Sequence, residues 1–198
     1  MHNMLARSLA AAVLLIPTAA LAHTGHGDGH GLVHGFAHPL GGLDHILAMV
    51  TVGIFAWQLG GRALWLVPAS FILMMAAGGA AGMAGVPMPL VEFGIAASVI
   101  VLGTIVAIGI KTPVAIAMGL VGAFAIFHGY AHGAEMPVDA SGVSYAAGFV
   151  LATVLLHAAG IALGMGIGRL SNVYGRVGYQ VSGGLVAAIG ALILVHAV

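Results

Sequence analysis

The sequence predicts an all-α polytopic membrane protein, a bundle of six transmembrane helices after a cleaved signal peptide. Three observations carry this. Charged residues are 5% of 198 positions and hydrophobic ones 61%, against about 25% charged in a typical soluble domain. Apolar stretches near the roughly 20 residues that a helix needs to cross a bilayer recur along the chain. The few basic residues fall at alternate ends of those stretches. With a mean hydropathy of +1.15, the chain could not cover a soluble surface. A cytosolic globular enzyme, a nucleic-acid binder and a disordered chain are thereby excluded.

Residues 1–22 read as a signal peptide. Arg7 gives a basic start, Leu9 begins a short apolar run, and Ala20-Leu21-Ala22 is a cleavage pattern. The alternative is an uncleaved first helix, for which the run is short and holds Pro17. Residues 23–37 then form a His-rich periplasmic leader, and 38–198 the membrane domain. Short His-rich tracts bind metal, so His23, His26 and His30 are candidates for metal capture. The glycines between them impose no geometry, and a merely solvated leader is the alternative.

The spans are expected at 39–60, 63–83, 89–110, 113–131, 143–168 and 178–198. Pro39, Pro89 and Pro113 stand near helix starts, where a missing N–H costs nothing. Basic residues collect in cytoplasmic loops. With the first span starting outside, Arg62, Lys111, Arg169 and Arg176 all fall inside. Asp28, Asp44, Glu92, Glu135 and Asp139 fall outside or in the outer part of a span. The expected location is the inner membrane, with both termini periplasmic.

The 32 glycines suit closely packed spans. Gly160, Gly164 and Gly168 form a small-xxx-small face, and 76–82 is nearly all small, so Gly-rich faces are candidate contacts for a homo-oligomer. The chain has no Cys, which removes disulfides and thiolate ligands. No G-x-x-x-x-G-K-[ST] loop surrounds Lys111, so the chain does not hydrolyse ATP by itself.

The 11 histidines are informative in so apolar a chain. Ionisable residues inside a span cost a few kcal/mol each on insertion scales and mark function by default. His38, Asp44 and His45 open the first span; the two histidines are seven apart and share a face if the helix starts early enough. His128, His132 and Glu135 close the fourth span at i, i+4 and i+7, on one stripe. Glu92 opens the third at the same outer level, where a carboxylate favoured by the helix dipole is the alternative. Imidazole nitrogens joined to carboxylates suit a divalent transition metal such as Ni²⁺, Co²⁺ or Zn²⁺. No basic residue is available on that side to pair with Asp44, Glu92 and Glu135. His157, midway along the fifth span, is a deeper relay or a helix–helix hydrogen-bond donor.

His38-Pro39-Leu40-Gly41-Gly42-Leu43-Asp44-His45 and Phe127-His128-Gly129-Tyr130-Ala131-His132-Gly133-Ala134-Glu135 resemble the two signatures of the HupE/UreJ family of nickel permeases, found with hydrogenase and urease systems. The resemblance implies secondary uptake of Ni²⁺, or Co²⁺ in some relatives, as transported substrate. It implies no permanent cofactor, and it makes the His, Asp and Glu of both motifs essential. The competing readings are a membrane metalloenzyme and a metal-sensing accessory protein. Short loops and only two His clusters weigh against the enzyme.

Overall fold

The computed structural model describes residues 28–136, 142–170 and 172–197. All regular structure among them is helical: α1 Asp28–Gly41, α2 Leu43–Leu59, α3 Ala63–Met83, α4 Val91–Ile108, α5 Val114–Ala134, α6 Gly142–Gly168 and α7 Asn172–Ala197. The segment 1–22 and His23 and His26 lie outside the described residues. His30 is described only as part of α1.

Helices α3 to α7 contain five stretches long and apolar enough to cross a membrane, and the pair α1–α2 makes a sixth if it counts as one broken span. Most boundaries agree with the sequence within a few residues. The last helix begins six residues before the expected 178, because helical hydrogen bonding continues past the apolar window through Tyr174 and Arg176.

The first span differs in kind. Pro39 was expected to open a helix, but it lies in the last turn of α1. Without an N–H, proline cannot continue the ladder, and its ring crowds the carbonyl four residues back. The helix ends at Gly41, and the axis bends by 84° before α2 starts. His38 and His45 therefore do not stack along one helix face. Gly42, at the bend, is extended and leaves room for its neighbours, since an added methyl would meet Asp44 Oδ1 at 2.7 Å and His45 Nδ1 at 2.9 Å.

Glycine brings helices into backbone contact. Between α3 and α5, a methyl on Gly78 would strike the Ile126 carbonyl, and one on Gly133 the Gly79 carbonyl. Gly160 meets the Val50 carbonyl of α2, and Gly164 and Gly168 meet the Trp57 ring. Several of the glycines offered above to a second copy thus pack against helices of the same chain, while Ala76, Ala77 and Ala80 of the small-residue stretch stay exposed. With lipid tails as apolar as leucine, such packing drives association in place of the hydrophobic effect.

Phe55, Phe71, Met49, Leu102, Val106 and Val121 form the centre of the bundle. Large apolar side chains such as Trp65, Leu73, Leu185 and Val195 point outward, as a lipid environment requires. The chain is a membrane protein.

Candidate functional site

Three helix starts and two helix ends converge at one end of the bundle. Asp44 and His45 lie in the first turn of α2, Glu92 in the first turn of α4 and Tyr145 in the first turn of α6. His38 sits in the last turn of α1 and His132 in the last turn of α5, with Glu135 capping it. Leu90, just before α4, has φ 60. This left-handed conformation costs a non-glycine residue roughly 1–2 kcal/mol, and it turns the chain into the helix that carries Glu92.

α1 is held against α6 by close backbone approaches. Gly35 abuts the Tyr145 carbonyl, and Gly148 abuts the Leu32 carbonyl. That contact folds the broken half of the first span over the site.

The open cavity between these helix ends measures about 480 Å³. Its walls carry His34, His38, Asp44, His45, Glu92, His132 and Glu135. Six of the seven expected metal residues are therefore on its lining. The seventh, His128, lies one layer deeper, fully buried, with its ring 4.7 Å from that of His45. None of the described lining residues is Lys or Arg.

The imidazoles form a continuous series. His38 meets His132 at a centroid distance of 4.6 Å, and His132 meets His45 at 4.3 Å. Beyond His128 comes Phe71 at 5.8 Å, and beyond Phe71 comes His157 at 5.1 Å. His157 is buried on the far side of the phenylalanine and does not line the pocket.

Hydrogen bonding orients two of these rings. Asp44 Oδ1 accepts from the His45 backbone N–H at 2.8 Å and stands 2.8 Å from His45 Nδ1. An ionised carboxylate can only accept, so a neutral His45 carries its proton on Nδ1 and leaves a lone pair on Nε2. The Ser98 hydroxyl donates its single hydrogen to the Ile95 carbonyl at 2.6 Å. It can then only accept from His128 Nε2, 2.8 Å away, which leaves a lone pair on His128 Nδ1.

Those two lone pairs are buried without a partner, as are both ring nitrogens of His132. A buried polar atom left unsatisfied costs about 1–3 kcal/mol. Together the four nitrogens leave three lone pairs and one N–H, because a neutral His132 keeps its proton on one of its two nitrogens. At the mouth, His38 Nε2 and Glu135 Oε2 pair at 3.3 Å, a weak and partly exposed contact. Among the described residues, no group of three or more His, Cys, Asp or Glu side chains is arranged to hold a metal ion as it stands.

Sequence reasoning missed His34, Ser98 and Tyr145. His34 precedes His38 by one helical turn, a legible spacing once α1 is known to reach back to Asp28. The Tyr145 hydroxyl is buried without a partner, and its ring lies 5.9 Å from that of His38. A single serine or tyrosine in a span carries no signal of its own.

Fold and pocket together define a polytopic helical membrane protein with a His/carboxylate chamber at one end. The chain belongs to the HupE / UreJ family: a model of that family, described as HupE / UreJ protein, matches residues 11–193. It is 46% identical over 188 residues to Protein HupE of Rhizobium leguminosarum bv. viciae, covering 93% of this chain and 94% of the relative. No solved structure matches.

Proposed function

We propose that the chain is a secondary permease, not an enzyme, that takes up a divalent transition metal, nickel first, to supply hydrogenase or urease maturation. The observation that carries this reading is the set of four unpartnered buried imidazole nitrogens beside three carboxylates with no described basic neighbour. A cation answers both deficits at once. Imidazole with carboxylate favours a borderline metal over Mg²⁺ or Ca²⁺. Family membership agrees with this reading, through the association of HupE/UreJ proteins with nickel and cobalt uptake.

In this reading the protein lies in the inner membrane, with both termini and the His chamber on the periplasmic side. His23, His26 and His30 raise the local metal concentration. His38, Glu92 and Glu135 receive the ion at the mouth, His132, Asp44 and His45 bind it, and His128 takes it inward, with His157 as a deeper relay. A potential of 100 mV drives a dication inward by about 4.6 kcal/mol, twice the value for one charge.

The test is uptake of radioactive nickel by cells with and without the protein, in competition with cobalt, zinc and magnesium. Uptake that depends on the protein and that cobalt inhibits more than magnesium does is expected. Cellular metal content that is unchanged by the protein refutes the reading.

A further inference from the structure

At the opposite end of the bundle, a second cavity of about 660 Å³ opens among the ends of α2, α4 and α6 and the first turns of α7. Its polar walls are Gln58, Lys111, Arg176 and Gln180, with the rings of Trp57 and Tyr179 beside them. None of the described lining residues is acidic, and Asp44, Glu92 and Glu135 all line the other cavity. Lys111 and Arg176 thus share a cavity with no described counter-charge.

The cavity is built by specific contacts. Lys111 Nζ donates to the Gln58 carbonyl, which fixes where its charge sits. Gln58 Nε2 donates to the Val106 carbonyl at 3.0 Å, while Gln58 Oε1 is buried without a partner. Tyr179 donates its hydroxyl to the Gly164 carbonyl at 2.7 Å. Gly168 keeps the space open, since a methyl there would meet both Trp57 Nε1 and Tyr179 Oη at 3.0 Å.

We propose that this cavity holds the phosphate of an anionic phospholipid headgroup between Lys111 and Arg176. It lies where helices end and where Trp and Tyr sit, which marks the boundary between hydrocarbon and water. Basic pockets between spans at that level bind anionic headgroups. Ile108 and Leu170, both exposed, supply an apolar wall for the lipid's upper chain. This assignment does not depend on which ion the His chamber takes, so either can fail alone.

The experiment uses the full purified chain in detergent, with retained lipid read by native mass spectrometry and stability by thermal melting. Phosphatidylglycerol should stay bound and raise the melting temperature, whereas phosphatidylcholine should do neither. Each basic group near a membrane surface adds about fivefold to anionic-lipid affinity. Lys111→Gln with Arg176→Gln should therefore lower retention about 30-fold, and the single Lys111→Gln about fivefold. Arg62→Gln with Arg169→Gln removes equal charge outside the cavity and should retain the lipid, as should the charge-keeping pair Lys111→Arg with Arg176→Lys. Equal retention of phosphatidylcholine, or undiminished phosphatidylglycerol binding in both Gln variants, overturns the proposal. So does equal protection by inorganic phosphate at matched ionic strength, which would assign the cavity to a soluble anion.

Discussion

Ser98→Ala removes a single oxygen and tests how the deepest ring of the chamber is prepared. Ser98 and His128 are both 0% exposed, so water cannot take the place of the lost hydroxyl. The Ile95 carbonyl keeps its place in the helix, but His128 Nε2 loses its partner at 2.8 Å. A buried donor left unpaired costs about 1–3 kcal/mol of stability, which a bundle of this size should survive. The larger effect falls on metal handling. Without the serine, the His128 proton is no longer confined to Nε2, and the ring is free to turn its Nδ1 lone pair away. Losing a group that orients a metal-binding histidine typically costs 10–100-fold in affinity. The half-saturating nickel concentration for uptake should therefore rise by about 10- to 100-fold, with near-normal uptake at saturating metal. Immunoblots of membranes should show wild-type amounts of protein. Ser98→Thr keeps the hydroxyl, which in a helix can still reach the preceding turn, and should restore most of the affinity. Wild-type uptake by Ser98→Ala across the whole nickel range would refute the tautomer argument.

Asp44→Asn should abolish uptake while the protein remains in the membrane. The amide oxygen can still accept the two contacts made by Asp44 Oδ1 at 2.8 Å, so the lost charge is the perturbation, and near-normal uptake would remove Asp44 from the site. His132→Ala and Glu135→Gln should also lose uptake, checked by the same assay. Gly133→Ala drives a methyl into the Gly79 carbonyl; overpacking of this kind costs about 1–3 kcal/mol, to be seen as a lower melting temperature in detergent. Apparent nickel affinity should weaken as external pH falls from about 7.5 to about 5.5, because protons compete for imidazole lone pairs whose ordinary pKa is about 6.5. Uptake that rises on acidification at saturating metal would point instead to proton coupling.

Membrane character, five of the six expected spans and most of their ends were legible in the sequence. Hydropathy is a local, additive property, and a span is recognised by its own residues whatever it packs against. The chamber's membership was largely legible too, because ionisable side chains are rare in such a chain. His38, Asp44 and His45 stand out by residue type, and only His128, His132 and Glu135 also by a helical spacing that the structure keeps.

The break at Gly42 was not legible. A proline near a helix end reads equally as the start of one helix or the finish of another, and Pro39 proved to be the finish. The contact of Gly35 and Gly148 with their partners decided between them by seating α1 on α6. Nor does spacing show which donor turns which ring. Ser98 meets His128 across 30 residues, and His38 meets Glu135 across 97. The same holds for glycine: Gly160 and Gly164 read as a packing face without a named partner, and only the packed bundle shows α2 against them. Residue type sets what a side chain can donate, accept or bury, so chemistry is written along the chain. Partners far apart in sequence meet only when close helix contacts bring them together, so the rotamer, the tautomer and the lone pair left facing the cavity belong to the tertiary structure.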